Sequence, residues 1–416
     1  MAFLLGCAWA FSARRRAIDW GLVGKGLALQ VVFALLVLRT EIGRGFFSTV
    51  NDAFLALIDA TNQGARFLFG ALIGPTTPAI AGDQAVGVVP LYANLAFSVL
   101  PTIVFFSALT ALAYHLGVMQ RIVGAVAWLM QRTLRTSGAE TTSAAGNIFI
   151  GMTEAPLLVR PFIGDLTTSE LNTVMTGGFA TVAGGVMAAY VAMLVGFFPD
   201  VAGHLLAASI MAAPAGIVMS KMLFPESDQP QTAGTSAIEV DTRYANVIDA
   251  AASGAGDGLK LALNVAAMLL AFLALIAMAN GVLGWSTGLL GFEGLTLERL
   301  FGWVFAPVAW LIGVPWADAA QVGSLFGIKI VANEFVAFQT LATGLADGLE
   351  LSPQALVITT YAMTGFASFG AIAIEIGGIG GIAPSRRADL ARLGIRAMAG
   401  GMGATCMTAT LAGVLA

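Results

Sequence analysis

Charge is scarce in this chain. Only 11% of its 416 residues are charged while 58% are hydrophobic, too apolar for a water-soluble domain, and several runs are long enough to span lipid. The composition is that of a polytopic membrane protein. A formal charge of -4 provides no basic field for nucleic acid, and no nucleic-acid-binding module is visible. Cysteine is nearly absent: Cys7 and Cys406 lie near opposite ends in apolar surroundings, which argues against a disulfide framework. Histidine is equally rare, and His115 and His204 make no metal-ligand cluster. Enzyme signatures are missing too. There is no His-Glu-x-x-His or Gly-x-Ser-x-Gly, and the loose glycine pattern from Gly378 to Ala383 lacks the preceding strand that a dinucleotide site needs. No cofactor and no catalytic residue is expected.

What stands out is a carboxylate and an amide inside apolar sequence, in Gly146-Asn-Ile-Phe-Ile-Gly-Met-Thr-Glu-Ala-Pro-Leu-Leu-Val-Arg-Pro-Phe162. An acidic side chain at bilayer depth costs at least ~2.5 kcal/mol, so Glu154 should face protein or a watery cavity. Thr153 is placed to cap a helix whose first turn holds Glu154 and Pro156. Asn147 to Met152 must then be non-helical backbone, which membrane depth tolerates only where it is buried in protein or lines a cavity. Broken helices of this kind mark transport sites.

Along the chain, residues 3–11 form a first membrane helix, without the basic start of a signal peptide, and Arg14, Arg15 and Arg16 hold the next turn in the cytoplasm. A span over 22–38 comes next, then an interfacial helix over 40–74. A third span, 91–116, leads to an amphipathic stretch with Trp128 and Arg121, Arg132 and Arg135. Residues 137–163 form a re-entrant hairpin. Residues 171–198, interrupted by glycines, and 205–222 cross next, before a polar cytoplasmic loop over 225–249. A long helix over 251–283 runs into a tryptophan-bearing external region, 285–316, anchored by Trp303 and Trp310. A second hairpin over 326–340 carries Lys329, Asn333 and Glu334. Spans over 356–382 and 393–415 close the chain, with Arg386 and Arg387 cytoplasmic between them and both termini outside. Residues 1–116 and 250–316 thus make a scaffold side, 117–223 and 317–416 a transport side, and 224–249 a loop.

The two halves share a short similarity, Met175-Thr-Gly-Gly-Phe-Ala-Thr181 against Met363-Thr-Gly-Phe-Ala-Ser368, each coming after an acidic hairpin. Interrupted hydrophobic elements at matching places in two halves are the pattern of an inverted repeat around a central transport site.

At these residues the sequence resembles the concentrative nucleoside transporter family. The resemblance rests on Gly-Met-Thr-Glu-Ala-Pro-Leu-Leu-Val-Arg-Pro-Phe at 151–162, Val-Ala-Asn-Glu-Phe-Val-Ala-Phe at 331–338, Asn246-Val-Ile-Asp-Ala-Ala and Gly313-Val-Pro-Trp316. It covers essentially the whole chain. It implies an all-α homotrimer whose protomers each have eight transmembrane helices, two re-entrant hairpins and their own nucleoside site, importing nucleosides by cation symport with an elevator-like motion. The implied base contacts are Met152, Thr153 and Glu154, with Val186 beside the nucleobase, and Glu334, with neighbouring Asn333, is matched to ribose. Sodium ligands map onto Asn147 and Thr181, with backbone carbonyls near Ile150 and Val182. Phe366, at the expected break of its helix, is a candidate contact for the base or sugar face.

Three positions depart from the family pattern: Met152 replaces a glutamine, Ser368 a ribose-binding asparagine and Ala371 a serine. Each removes or shortens a hydrogen-bonding group at a cost of ~1–3 kcal/mol, so selectivity among nucleosides should shift by up to about two orders of magnitude. Glu375 stands where an aliphatic residue is expected and is a candidate proton site; the plainer reading is a glutamate paired with a basic residue or reaching the aqueous edge. For Glu154 and Glu334 the plainer reading is an ion pair with Arg160 or Lys329, and for Asn147 and Thr181 it is capping or helix packing. Sodium is the first choice of coupling ion and a proton the second. A passive channel and an intramembrane hydrolase are the readings from other classes. A compact chain of this kind belongs in a bacterial inner membrane.

Overall fold

The computed structural model describes residues 1–69, 78–81, 84–88, 95–234, 244–289 and 294–415. Expectations for 70–74, 91–94, 235–243 and 290–293 fall outside the described residues. The first third comprises α1 (Ala2–Ala10), α2 (Trp20–Arg39), α3 (Glu41–Phe69), α4 (Leu100–His115) and α5 (Val118–Leu134). A short antiparallel pair, β1 (Pro78–Ala81) and β2 (Gln84–Val88), departs from the all-α expectation. The other elements among the described residues are helices. With no water in the hydrocarbon layer, apolar runs satisfy their backbone internally, and polar caps mark where helices start. Asp19 accepts from Gly21 and Leu22 N–H at 2.8 and 3.1 Å to open α2.

The chain then twice repeats one order: an interrupted helical pair, a broken helix and an unbroken helix. The first set is α6 (Gly138–Asn147) with a 3-10 helix (Ala155–Asp165), α7 (Thr168–Ala180) breaking into α8 (Gly184–Leu194), and α9 (Val201–Leu223). Between the sets lie α10 (Val247–Gly288), 42 residues long, and α11 (Leu297–Leu311). The second set is α12 (Trp316–Val331) with α13 (Glu334–Ala346), α14 (Pro353–Met363) breaking into α15 (Phe369–Ile382), and α16 (Arg387–Leu415).

Among the described residues five helices are long and apolar enough to cross a membrane, or up to seven if each of two bent pairs is one span. Eight were expected. The difference lies in short pieces: α1 has 9 residues, and α14 and α15 have 11 and 14. At 1.5 Å per residue none of these alone covers a core of ~30 Å. The α4–α5 pair bends by 78°, which turns α5 into the amphipathic surface helix its sequence foretold.

The packing is reciprocal. Ile150, Met152, Ala155 and Leu158 of the first interrupted pair share a core with Ala371 and Ile379 of α15 and Leu393 and Ala397 of α16. Phe335, Val336 and Phe338 of α13 share a core with Val186, Tyr190 and Leu194 of α8. Each interrupted pair therefore packs on the broken helix of the other half.

Candidate functional site

The first break is set by its caps and prolines. Ser137 and Glu140 form a capping box that starts α6, which ends at Asn147. Residues 148–154 are irregular, and the chain then enters the 3-10 helix, with Pro156 in its first turn and Pro161 inside. Thr153 does not cap it, contrary to expectation: the N-cap position is Glu154, and it makes no side-chain cap bond. Pro161 withholds an interior backbone donor and Val159 leaves the helical region (φ -118, ψ 18), so this segment is a kinked 3-10 helix. The far end is held by Arg386, whose Nη1 donates to the carbonyls of Gly164 at 3.1 Å and Leu166 at 2.6 Å. The tip is tied to α8 by Gly184 N–H donating to Phe149 O at 3.0 Å. Ile150 and Met152 are buried, Thr153 is half-buried and Glu154 is exposed. Among the described residues neither Arg160 nor any other cation pairs with Glu154.

Asn147 is fully buried, and both atoms of its amide lack a hydrogen-bond partner. It lies against Gly177 of α7, where an added Cβ would sit 3.2 Å from its Nδ2. Thr181, the first residue of the α7–α8 break, donates its hydroxyl to the carbonyl of that same Gly177 at 2.9 Å. The fold thus brings Asn147 and Thr181 together. With its proton engaged, the Thr181 oxygen keeps free lone pairs, and the Asn147 amide is uncommitted. Val182, in the break, and Val186, in the first turn of α8, are buried in one core. Hard oxygen donors at a helix break fit an alkali cation.

The second interrupted pair breaks at Ala332 and Asn333. Asn333 caps α13, its Oδ1 accepting from Val336 N–H at 2.8 Å, while its buried Nδ2 has no partner. Glu334 is 4% exposed and accepts a hydrogen bond from Tyr190 Oη at 3.3 Å. It is not ion-paired with Lys329, whose Nζ donates instead to the carbonyl of Ala362 at 2.8 Å. Tyr190 is fixed by Phe338, stacked at 4.2 Å, and Phe335, edge-on at 5.5 Å. Sequence reasoning missed Tyr190. The signal was present, since it lies one helical turn beyond Val186 on the same face.

The α14–α15 break holds Phe366, as expected, half-buried between the two reciprocal cores. Ser368 is partly committed: it caps α15, accepting from Ala371 N–H at 3.3 Å. At Gly365 the backbone has φ +116, and an added Cβ would lie 2.7 Å from Phe179 O, so the two broken helices meet at their breaks. Only glycine fits there. The matched segments occupy different phases, because Thr181 ends α7 whereas Ser368 begins α15.

Glu375 contradicts both plain readings. It is 0% exposed, neither carboxylate oxygen has a partner, and Oε1 fills the space beside Gly178 that a Cβ would need. It is separate from the Asn147–Thr181 group, which faces the preceding residue of α7. Metal chemistry gains no support either: among the described residues no three histidine, cysteine or acidic side chains cluster, and His204 is held by Tyr361 at 3.2 Å. Cys7 and Cys406 are both free.

Comparison with known proteins extends this picture over the whole chain. The family model described as Na+ dependent nucleoside transporter C-terminus matches residues 204–413, its N-terminal counterpart matches 1–72, and a nucleoside recognition gate model matches 96–197. A Bacillus subtilis protein named uncharacterized transporter YutK is 44% identical over 412 residues, covering 99% of this chain and 96% of that one. Sodium/nucleoside cotransporter 1 of Mus musculus is 39% identical over 420 residues, which cover 98% of this chain and 61% of the mouse protein. The chain therefore spans about three-fifths of that relative. Among solved structures, CNTnw in an inward-facing substrate-bound state superposes with a TM-score of 0.90 at 43% identity, covering 100% of this chain and 96% of that one. A CNTnw variant in an outward-facing state gives 0.90 at 42% identity, covering 100% and 95%. This helical membrane protein is a transporter rather than an enzyme. With matches near both ends and through the middle, the chain belongs to the Na+ dependent nucleoside transporter family.

Proposed function

We propose that this chain imports nucleosides across a bacterial inner membrane by symport with sodium. The observation that carries the reading is Asn147, a buried amide with both atoms unpartnered, beside Thr181 and the helix break. A polar group left unsatisfied at such depth is costly unless a ligand completes it, and an alkali cation does so with oxygen donors. Backbone carbonyls at Ile150 and Val182 would add to that set. Glu154, Thr153 and Met152 at the hairpin tip, with Val186, meet the base; Glu334, Asn333, Ser368, Ala371 and Phe366 meet the sugar. Carboxylates accept from base N–H and ribose hydroxyls, which suits Glu154 and Glu334.

Movement is of the elevator type, the two hairpin-bearing sets travelling as one body, which their reciprocal packing supports. The reading includes re-entrant hairpins and a homotrimer. On α10, packed against α4, Leu259, Leu263 and Leu270 are exposed apolar side chains that lipid or a neighbouring protomer would cover.

The test is uptake of a labelled nucleoside panel into proteoliposomes under an inward sodium gradient, with Glu334→Gln as control. Accumulation above equilibrium that is lost in the variant is the expected result. Equilibration without accumulation would mean a passive channel, and recovery of chemically altered substrate a hydrolase.

A further inference from the structure

Glu375 is given no role in the sodium and nucleoside readings above, yet it is a fully buried carboxyl group with neither oxygen partnered. It projects from the middle of α15, a helix of otherwise apolar and glycine residues, into the contact between α15, α7 and the first hairpin. A Cβ added to Gly178 would overlap Glu375 Oε1 and lie 2.8 Å from Met152 Cβ, so the carboxyl group and the hairpin tip meet over that one glycine. One turn further along α15, a Cβ on Gly378 would lie 3.0 Å from Thr153 Cγ2. The hairpin tip is seated on α15 at both points.

The charged side chains on the elements around α15 are engaged elsewhere or exposed: Asp318 of α12 accepts from Ser352 Oγ at 2.6 Å, and Asp165 of the 3-10 helix is exposed. On α7, Glu170 caps its own helix through Thr167. On α12, Lys329 donates to Ala362 O. In the turn before α16, Arg386 binds Asp389 and the carbonyls of Gly164 and Leu166. On α16, Arg387 passes Gly380 and Arg396 lies over the Phe224 ring, while Arg392 is exposed. Arg160 and Glu154 of the first hairpin are exposed. Among the described residues none of these makes an ion pair or hydrogen bond with Glu375.

A lone carboxylate in such a place lacks everything that makes a buried charge tolerable, whereas a neutral carboxylic acid needs far less. A sodium ion would need several oxygen donors, whereas the side chain that meets Glu375 over Gly178 is the apolar Met152. We infer that Glu375 is a second ion-coupling site, which takes a proton when the first hairpin seats on α7 and α15 and releases it when the hairpin lifts. The proton comes from water on one face of the membrane and returns to water on the other, leaving the carboxylate hydrated in between. Nucleoside import is then linked to protons as well as to sodium. This inference rests on the proposed transport function.

The test uses proteoliposomes loaded with a pH-sensitive dye, with Glu375→Gln beside the parent chain. Sodium-driven nucleoside accumulation by the parent tests the transport function by itself. With Glu375 carrying a proton, the same uptake acidifies the lumen, and an inward proton gradient speeds it. Acidification and pH dependence should both vanish in Glu375→Gln. Accumulation without acidification in the parent, or acidification that survives in the variant, would overturn the assignment. Should the variant not transport, infrared difference spectra of the two purified proteins at neutral pH decide. A carboxylic-acid carbonyl band missing from the variant supports the assignment, and a carboxylate band in its place refutes it.

Discussion

Tyr190 donates a hydrogen bond to Glu334 at 3.3 Å across 144 residues of sequence, joining the broken helix of the first half to the interrupted pair of the second. A hydrogen bond to a charged group contributes ~1.5–3 kcal/mol, and at this length the lower end applies. Tyr190→Phe is therefore expected to weaken nucleoside half-saturation about tenfold while the protein remains monodisperse. Glu334→Gln should do more, abolishing uptake. Transport kinetics of the two variants side by side provide the check.

Asn147 and Thr181 converge on Gly177 and should be felt through the ion rather than the substrate. Thr181→Val removes one oxygen donor and a hydroxyl bond worth ~1 kcal/mol to the fold. The sodium concentration for half-maximal uptake should rise severalfold for Thr181→Val and more for Asn147→Leu. Sodium titrations at saturating nucleoside measure this, and an unchanged curve in both would remove them from the cation site.

Met152 offers a reversal. Met152→Gln supplies an amide where the side chain is now apolar, and a buried hydrogen-bonding partner gained or lost is worth ~1–3 kcal/mol. Preference among nucleosides should shift by about tenfold or more, read as competition by unlabelled nucleosides against a labelled one.

Gly365 is a test of architecture. A side chain there meets both a positive φ and the carbonyl of Phe179. Strain of this kind costs ~1–3 kcal/mol before any clash is counted. Gly365→Ala should lower the thermal transition of the detergent-solubilised protein, whereas Gly370→Ala, with open space around its Cα, should leave it unchanged.

At the end of α9, Lys221 is buried between Glu140 at 2.5 Å and Glu226 at 3.1 Å. Lys221→Met leaves the buried Glu140 carboxylate without its cation, a loss of ~3–5 kcal/mol, and should impair assembly. Glu226 lies beyond the span: burial pushes its carboxyl up, but the Lys221 ammonium and hydrogen bonds from Asp228 N–H and Thr167 outweigh this and hold it below its ordinary 4.5. Its contribution to stability is present above that value and is lost as pH falls through the lower folded-state value. Thermal transitions should therefore fall on acidification below about pH 4.5, with a shallower slope in Glu226→Gln.

The helices were legible because lipid leaves apolar sequence few alternatives, and the breaks were legible from Glu154, Glu334 and the glycines around them. What the sequence concealed were relations across the fold. Tyr190 reads as one more aromatic until Phe338 holds it against Glu334. Thr153 looked like a cap, but the N-cap position of the 3-10 helix falls one residue later, on Glu154. Ser368 read only as a shortened ligand contact, whereas its oxygen also caps the start of α15. Glu375 gave its oddity away by residue type alone, while its isolation depends on how three separate elements close around Gly178.

The reciprocal packing also sets an order on synthesis. The first hairpin and α7 leave the ribosome long before α15 and α16, the segments that cover them. Until those arrive, Ile150, Met152, Ala155 and Leu158 lack the α15 and α16 side chains they pack against, and the first half of the chain has no partner for its break. The nascent protein must therefore be tolerated half-built, by lipid, by water in the open break or by the insertion machinery, and a chain stopped before α12 lacks Glu334 and the whole second half of the proposed site.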